Sequence, residues 1–304
     1  MTDFPASATS RAHAPIDPAA APVEHVLTVD CPEAPGIVHA VSRFLLEHDS
    51  DIIDNQQFGD RRDGHFFMRV HFATSGGENT TDVLRRGFAA VAAPFAMRWH
   101  LEPVGTRRRV LVMVSRYGHC LNDLLFRTRS GDLPIEVVAV VSNHRDHEAL
   151  VAWHEIPFFH VPVTAATKPE AEARLLELVD EFAVELVVLA RYMQVLSDDL
   201  CTGLAGRTIN IHHSFLPSFK GAKPYHQAHD RGVKLVGATA HYVTADLDEG
   251  PIIAQEVIGV DHSHTPDDLA AIGRDAESAA LARAVRWHCE GRVFVQGRRT
   301  VILR

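Results

Sequence analysis

Two kinds of hydrophobic pattern divide the chain, and the first occupies residues 23–103. Short runs with strand-like alternation and longer runs with helical spacing follow one another there. A turn-rich GDRRDG separates two of the strand-like runs and predicts a hairpin. In chain order the runs are HVLTVD, PEAPGIVHAVSRFLLEH, DIIDNQQF, HFFMRVHFA, TTDVLRRGFAAVAAPF and MRWHLE. The resulting order βαββαβ predicts a ferredoxin-like fold, which by itself specifies no function.

The second pattern, in residues 104–304, consists of continuous apolar runs separated by helical segments. Continuous apolarity predicts strands that are buried on both faces, and strand-helix alternation predicts parallel crossover connections. The predicted strands are RVLVMVS, IEVVAVVS, FFHVPV, ELVVLA, TINIH, ATAHYV and IIAQEVI. A helix that begins after Thr265, with Asp268 in the capping-box position, is predicted to run to about Glu290 and to close the chain. We therefore predict a doubly wound, mostly parallel Rossmann-like α/β domain.

Composition narrows the function classes. The 304 residues are 46% hydrophobic and 23% charged, which is typical of a soluble globular protein with sizeable cores. A formal net charge of -9 disfavours nucleic acid as a partner, because such binding needs a basic face. No apolar stretch approaches the ~20 residues that cross a bilayer, and the Ala- and Pro-rich residues 1–22 predict a disordered tail. Four widely spaced cysteines predict neither disulfides nor a zinc ribbon, and they fit a cytoplasmic protein.

Polar residues gather where the predicted strand TINIH ends. Asn210 and His212 are two positions apart and therefore point to one side of a strand, whereas His213 is expected to face the other way. In an open α/β sheet, ligands bind beyond the carboxyl ends of the strands. Farther along the chain, Asp248 lies in an acidic turn between two predicted strands. An amide, an imidazole and a carboxylate together can bind water, move protons and stabilise an oxyanion. The alternative is a polar strand end that only caps the sheet against water.

Metal binding is a rival use for some of the 20 histidines. His226 and His229 have i, i+3 spacing on a predicted helix, and His262 and His264 have i, i+2 spacing. Neither an H-E-x-x-H motif nor a Cys/His ligand set with the expected spacing is present in the sequence. We therefore expect no metal site, and we predict that most histidines lie on the surface or are hydrogen-bonded inside.

The start of the first predicted helix resembles a known regulatory module. The strand that ends in Asp30, followed by Pro32, Pro35, Gly36 and Ile37, is similar to the helix start of an ACT domain. Members of the ACT family commonly pair with a copy of themselves and hold an amino acid at the interface. The resemblance therefore implies a regulatory domain at residues 23–103, an amino-acid effector, and a homo-oligomer that is a dimer or a tetramer.

Three motifs in the second part resemble the folate-dependent formyltransferases. They are N-x-H-x-S-x-L-P at Asn210, H-x-V at His241 and D-x-D-x-G-P-I-I at Asp246. With the ACT module added, the chain is similar to the formyltetrahydrofolate deformylase family. This resemblance implies a formyltransferase-type fold for residues 104–304 and hydrolysis of 10-formyltetrahydrofolate to tetrahydrofolate and formate, which supplies formate to purine synthesis and balances the one-carbon pool. Folate is then the substrate, and no separate cofactor is expected.

The resemblance also assigns site residues. The catalytic residues fall on Asn210, His212 and Asp248. The folate pocket would be lined by Arg191, Tyr192, Met193, Gln194 and Leu196 on one side and by Thr244, Ala245 and Asp246 on the other. The supporting residues would be His213, Ser214 and His241. The serine lacks the G-x-S-x-G context of a nucleophile, so a Ser-His mechanism is not expected.

One departure from the family pattern indicates which molecule accepts the formyl group. In the ribonucleotide transformylases, a G-x-G-x-N type loop after the first strand holds the phosphate of the acceptor through backbone N–H groups. Here the corresponding stretch is SRYGHCLNDLL, in which Gly118 is the only glycine. Water is therefore the predicted acceptor. Two alternatives remain open: a formyltransferase that acts on a small amine, and a folate or amino-acid sensor without turnover.

Overall fold

The structure, a computed structural model, describes residues 22–75, 80–216 and 224–304. The chain divides into two compact units. One comprises the chain up to Asn55 together with Gly59–Val104, and the other comprises Gln56–Phe58 and Gly105–Arg304. Apart from Pro22, the tail that the composition predicts to be disordered lies outside the described residues.

The first unit contains the predicted βαββαβ order, apart from Gln56–Phe58 within the second strand. Its strands are Val23–Pro32 (β1), Ser50–Asp60 (β2), His65–Thr74 (β3) and Arg98–Pro103 (β4), and its helices are Ile37–Glu47 (α1) and Thr80–Ala92 (α2). The strands form one sheet in the order β2-β3-β1-β4, with β1 antiparallel to both of its neighbours. This ferredoxin-like arrangement confirms the prediction from the hydrophobic pattern, and it is consistent with an ACT-like domain.

Alternation along the strands builds the core of this unit. In β1, buried residues such as Leu27 and Val29 alternate with more exposed ones and pack with residues of both helices. Phe44 of α1 meets Phe88 of α2 edge to face, with the ring centroids 5.2 Å apart. Helix α1 begins after Gly36, whose φ of 96° lies in a region that residues with side chains rarely adopt. The backbone at the helix start therefore requires this glycine.

The second unit is built on a sheet with seven strands in the described part of the chain. They are Arg108–Val114 (β5), Ile135–Ser142 (β6), Phe158–His160 (β7), Leu186–Leu189 (β8), Thr208–His212 (β9), Leu235–Tyr242 (β10) and Ile252–Gly259 (β11). The helices are His119–Arg129 (α3), Glu148–Trp153 (α4), Lys168–Glu181 (α5), Asp198–Gly203 (α6), Pro224–Asp230 (α7) and Pro266–Cys289 (α8). The strand order is β11-β10-β9-β8-β5-β6-β7, in which β9 to β7 run parallel and the pairs made by β10 are antiparallel. The predicted mostly parallel sheet is confirmed.

Helices cover both faces of this sheet. Val110 and Val112 of β5 pack with residues of α3 and α8, whereas Leu111 and Met113 pack with residues of α5 and α6. The prediction of a doubly wound domain is therefore also confirmed. Strand β5 lies between β6 and β8. The chain places β6 and β7 on one side of β5 and then returns to place β8 and β9 on the other side. A crevice is expected at the carboxyl ends of the strands where the strand order reverses in this way.

The end of the chain differs from the prediction. Helix α8 begins with the predicted capping box of Thr265 and Asp268, but it does not close the chain. Val293–Gln296 (β12) and Arg299–Ile302 (β13) follow it as an antiparallel hairpin. Four residues per strand are too few to establish a hydrophobic period, which is why the sequence pattern did not predict β12 and β13. Within the described ranges, no helix has both the length and the apolarity that crossing a membrane requires.

Candidate active site

The predicted catalytic residues line a common cavity near the carboxyl ends of β8 and β9. A cavity of about 240 Å³ opens there, between the loop that follows β8 and the turn that joins β10 to β11. Asn210, His212 and Asp248 all line this cavity. The side chains of His213 and His241 line it as well. The fold therefore brings together an amide, a carboxylate and three imidazoles from three separate segments of the chain.

Asn210 faces the cavity from the middle of β9. Its neighbour across the antiparallel pair is His241 of β10. The amide nitrogen Nδ2 of Asn210 donates to Nε2 of His241 over 3.2 Å. The other ring nitrogen of His241, Nδ1, lies 2.9 Å from the carbonyl oxygen of Tyr242. Strand pairing thus fixes an amide and an imidazole side by side.

His212 is the last residue of β9 and contacts Asp248. Nδ1 of His212 is 3.2 Å from Oδ2 of Asp248. The other ring nitrogen, Nε2, is buried and has no hydrogen-bond partner in the part of the chain that the structure describes. Leaving a buried polar group without a partner costs about 1–3 kcal/mol. This nitrogen is therefore available to a substrate or to a water molecule in the cavity.

Asp248 reaches these histidines through the turn between β10 and β11. Its φ of 57° is left-handed, and at Gly250 a Cβ atom would lie only 1.7 Å from the carbonyl oxygen of Tyr242. Oδ1 of Asp248 is 3.7 Å from Nε2 of His241, so the carboxylate faces two imidazoles. Burial alone would raise the pKa of Asp248, but the interactions with His212 and His241 outweigh burial and hold this pKa well below its usual value. Asp248 is therefore ionised at neutral pH.

The predicted orientation of His213 is wrong. Its ring stacks on that of His212, with the centroids 5.0 Å apart, and it lines the same cavity. Because β9 ends at His212, strand alternation no longer determines the direction of the next side chain. Burial, with smaller contributions from the charges of Arg191 and His212, lowers the pKa of His213 to about 4. This ring is therefore neutral at pH 7.

Ser214 lies at the base of the loop that follows the catalytic strand. It is buried, and its carbonyl oxygen accepts a hydrogen bond from Oγ1 of Thr239 over 3.0 Å. The backbone N–H of Leu216 donates to the same hydroxyl oxygen over 3.1 Å. Thr239 therefore ties the beginning of the loop to β10. The last residue of the motif, Pro217, lies outside the described residues.

The loop after β8 forms one wall of the cavity. It contributes Arg191, Tyr192, Met193, Gln194 and Leu196, the five residues predicted for this side of the folate pocket. Ser115, directly after β5, fixes this wall because its N–H donates to the carbonyl oxygen of Arg191 and its Oγ accepts from the N–H of Met193. Oγ of Ser115 in turn donates to Oδ1 of Asn143 over 2.8 Å. The sequence predictions missed Ser115 and Asn143, although both are polar residues at the carboxyl ends of strands.

The opposite wall agrees with the prediction at two of three positions. Thr244 and Ala245 line the cavity, and Leu247, which was not predicted, lines it too. Asp246 instead is exposed and lines a separate cavity of about 400 Å³. The physical reason is a turn in which Oγ1 of Thr244 donates to the carbonyl oxygen of Asp246 over 3.1 Å. The prediction that Asp246 lines the folate pocket is therefore corrected.

Glu277, a buried carboxylate of α8, binds side chains from three other segments. Its Oε2 accepts a hydrogen bond from Nε2 of His119 over 2.8 Å and lies 3.3 Å from Nε of Arg191. Its Oε1 accepts from the hydroxyl of Tyr225 over 2.9 Å. Burial alone would raise the pKa of Glu277, but the bond from His119 and the charge of Arg191 outweigh burial and lower it. Arg191 thus lines the predicted folate pocket while its guanidinium is paired with a residue that no motif had marked.

The same region contains side chains with metal-ligand spacing. The ligand atoms of His119, Cys120 and Glu277 lie within 4.8 Å of one another. The carboxylate, however, already accepts hydrogen bonds and pairs with the guanidinium of Arg191. Burial, reinforced by the charge of Glu277, raises the pKa of Cys120 far above its usual value, whereas a metal ion would need the thiolate. This donor set therefore does not fit a metal ion.

The fold and the site define a class of protein. Residues 108–285 match the family model described as formyl transferase. The crystal structure of glycinamide ribonucleotide transformylase 1 from Symbiobacterium toebii is similar to this chain, with a TM-score of 0.62 and 33% identity, and the similarity covers 67% of this chain and 98% of that one. The second unit is therefore a formyltransferase domain.

Similarity over almost the whole length identifies the family more narrowly. Formyltetrahydrofolate deformylase of Corynebacterium sp. (strain P-1) is 62% identical over 93% of this chain and 99% of its own length. The enzyme of that name from Escherichia coli (strain K12) is 42% identical over 91% of this chain and 98% of its own. The crystal structure of formyltetrahydrofolate deformylase from Burkholderia mallei ATCC 23344 has a TM-score of 0.88 at 51% identity and covers 93% of this chain and 100% of that one. This chain belongs to the formyltetrahydrofolate deformylase family, as its motifs had predicted.

Proposed function

We propose that this chain hydrolyses 10-formyltetrahydrofolate to tetrahydrofolate and formate. The observation that carries the proposal is that His212 lines a cavity with Asn210 and Asp248, and that its buried Nε2 atom has no partner among the described residues. The deformylase relatives supply the substrate class. In the cell, the reaction would supply formate to purine synthesis and balance the one-carbon pool. Four free, buried cysteines support a place in the reducing cytoplasm.

The role of His212 follows from its two ring nitrogens. Nδ1 faces the carboxylate of Asp248, which only accepts hydrogen bonds, so the neutral ring carries its proton on Nδ1. Nε2 then takes a proton from a water molecule while the oxygen of that water attacks the formyl carbon. The charge of Asp248 orients the ring and stabilises the imidazolium that forms.

Asn210 stabilises the negative oxygen that this attack creates. Its Nδ2 atom carries two N–H groups, of which one points to His241 and the other can donate to the oxyanion. Loss of a donor of this kind costs roughly 3–4 kcal/mol in the transition state. The imidazolium of His212 then returns its proton to N10 of the folate as the bond between N10 and the formyl carbon breaks. Formic acid leaves and loses its remaining acidic proton to water.

The start of α3 supports water as the acceptor. The ring of His147 covers Gly118 so closely that a Cβ atom on Gly118 would lie 2.4 Å from Cε1 of His147. Nε2 of His147 lies 3.1 Å from the carbonyl oxygen of Arg116, which holds the ring in this place. A phosphate cradle at a helix start would need accessible backbone N–H groups. We therefore favour hydrolysis over transfer to a phosphorylated amine.

Formate release in the absence of any amine tests the proposal. The purified chain is incubated with 10-formyltetrahydrofolate alone, and formate and tetrahydrofolate are both quantified. We expect equal amounts of the two products, and no formylated product when glycinamide ribonucleotide is added. If formyl groups leave only when an amine is present, the chain is a formyltransferase. If the folate binds without any turnover, the sensor alternative is correct.

We also propose that residues 23–103 bind an amino-acid effector and pair with a second copy in a dimer or tetramer. The resemblance to ACT domains supports this, as does the edge strand β2, on which Ile52 and Ile53 are exposed. Light scattering on the full chain measures the oligomeric state, and formate assays with single amino acids measure the effector. A monomer whose activity responds to no amino acid would contradict both parts.

A further inference from the structure

His241 is the most completely buried imidazole of the candidate active site, and the proposed chemistry gives it no proton to move. It is 2% exposed and lies on β10 directly opposite Asn210. Its two ring nitrogens have different partners. Nδ1 is 2.9 Å from the carbonyl oxygen of Tyr242, and Nε2 is 3.2 Å from Nδ2 of Asn210. These contacts define one protonation pattern of the ring.

The carbonyl oxygen of Tyr242 fixes the tautomer. A carbonyl oxygen only accepts hydrogen bonds, so Nδ1 of His241 must carry a proton. In the neutral ring the other nitrogen, Nε2, then has a lone pair and no proton. An amide nitrogen can donate to this lone pair, whereas an amide oxygen facing it would be repelled. Oδ1 of Asp248 is 3.7 Å from Nε2, which is too far for a hydrogen bond. The contact between Nε2 and Nδ2 of Asn210 therefore has a defined direction.

We propose that His241 is a positioning residue that holds the amide of Asn210 in the orientation that presents an N–H group to the formyl oxygen. The expected effect on kcat rests on the proposed hydrolysis, whereas the contacts of His241 do not depend on it. If the amide were reversed, Oδ1 of Asn210 would face the lone pair of His241. The second N–H of Nδ2 would then no longer occupy its place beside the cavity, and the oxyanion would lose its donor.

Two substitutions of His241 each retain the function of only one of its two ring nitrogens. Gln places its amide oxygen near the position of Nε2, where it can accept from Asn210. Asn places an N–H near the position of Nδ1, where it can donate to the carbonyl oxygen of Tyr242, but it reaches no atom of Asn210. We expect His241→Asn to lower kcat by about 100-fold or more, as loss of an oxyanion donor does, and His241→Gln to restore most of that loss. The KM for folate should change little in both variants.

A double-mutant cycle tests whether His241 acts through Asn210. In an Asn210→Ala background, His241→Asn should lower kcat little further, because its target is already absent. A full additional loss in that background would overturn the proposal, and so would equal effects of His241→Asn and His241→Gln. Urea unfolding of each variant separates loss of folding from loss of positioning.

The tautomer itself can be measured in the unmodified chain. NMR of the protein with ¹⁵N-labelled histidine distinguishes a protonated ring nitrogen from one with a lone pair, and the His241→Gln variant identifies the signal. We expect a protonated Nδ1 and an unprotonated Nε2. A proton on Nε2 would overturn the proposal even if the His241→Asn variant fails to fold. Because this readout involves no turnover, its outcome is distinct from failure of the formate assay.

Discussion

Asp248 lies between two imidazole rings and places a negative charge beside both. Oδ2 faces Nδ1 of His212, and Oδ1 faces Nε2 of His241. The pKa of Asp248 is held below its usual value, so the group stays ionised throughout the neutral range. An amide at this position would keep the volume of the side chain but would remove the charge that stabilises an imidazolium at His212.

We expect Asp248→Asn to lower kcat by at least about 100-fold, because proton transfer through His212 loses its counter-charge. Folate binding should change little, since the loop after β8 forms the other wall of the cavity. Formate assays measure kcat, and fluorescence titration with tetrahydrofolate measures Kd. Asp246→Asn is the matched control, because it makes the same change in the same turn but outside this cavity. Near wild-type turnover of Asp248→Asn would remove this aspartate from the mechanism.

The direction of a side chain could be predicted from the sequence where that side chain lies on a regular strand. Asn210 and His212 share one face because β9 extends to His212. His213 lies beyond the strand, and its direction depends on stacking against the ring of its neighbour. Asp246 and Asp248 fit an acidic turn equally well in the sequence. The family resemblance gave Asp248 the catalytic role, and only the folded turn, with its left-handed residue at Asp248, shows that Asp246 lies outside the cavity.

The connection between β10 and β11 carries the catalytic carboxylate, and Gly250 is its tightest point. A Cβ atom there would lie 1.7 Å from the carbonyl oxygen of Tyr242 and 3.3 Å from Nδ1 of His241. The carbonyl oxygen of Tyr242 is also the acceptor for that same Nδ1. Any added side chain must therefore displace backbone that positions both His241 and Asp248.

We expect Gly250→Ala to reduce the free energy of unfolding by roughly 1–3 kcal/mol, the usual cost of forcing extra atoms into a packed region. It should also lower kcat, because the turn that carries Asp248 must shift. Urea unfolding and formate assays measure the two effects. Gly259→Ala is the matched control, since a Cβ at Gly259 meets nothing within 4 Å. If the two variants behave alike, close packing at Gly250 is not what positions the turn.

Among the elements, a clear apolar pattern decided what the sequence could predict, since even the short strands β7 and β8 were found within continuous apolar runs. Long periodic segments such as β1, α5 and α8 were predicted with their types, and the capping box even marked where α8 begins. The short elements α4, α6, β12 and β13 contain four to six residues each and were missed. One turn of helix or two pairs of strand residues does not display a period, so their structure depends on packing against the sheet.

Buried histidines link the folding of the second unit to pH. The hydroxyl of Tyr242 donates to Nδ1 of His288 over 2.7 Å, and burial lowers the pKa of His288 to about 4. The pKa of His213 is lowered to a similar value. In the unfolded chain both rings titrate near 6.5, so between pH 6.5 and 4 the unfolded state binds more protons than the folded one. Stability is therefore lost as pH falls through this window.

We expect the free energy of unfolding to be clearly lower at pH 5 than at pH 7, and His288→Asn to reduce that difference. A shift from 6.5 to about 4 corresponds to about 3 kcal/mol when it is fully expressed below pH 4, of which about 2 kcal/mol is lost between pH 7 and pH 5. Urea titrations at the two pH values give the free energies. His39→Asn, at an exposed position of α1, serves as the control and should leave the pH dependence unchanged. An unchanged difference in His288→Asn would mean that other groups cause the acid sensitivity.

For the whole molecule, the sequence predicted both folds and the family, but not the contacts that join distant segments. Glu277 binds His119, Arg191 and Tyr225, which are 158, 86 and 52 positions away in the chain (277 − 119, 277 − 191 and 277 − 225). None of these residues forms a motif with it. A glutamate in the middle of an amphipathic helix usually faces solvent, so its burial follows only from how α8 packs on the sheet.

The central claim is that water, rather than an amine, accepts the formyl group. Hydrolysis in H₂¹⁸O tests it most directly, because the attacking oxygen stays in the product. We predict that each formate released from 10-formyltetrahydrofolate carries one ¹⁸O atom and appears together with one tetrahydrofolate, without any added amine. Formate without ¹⁸O, or no formate until an amine is supplied, would contradict it.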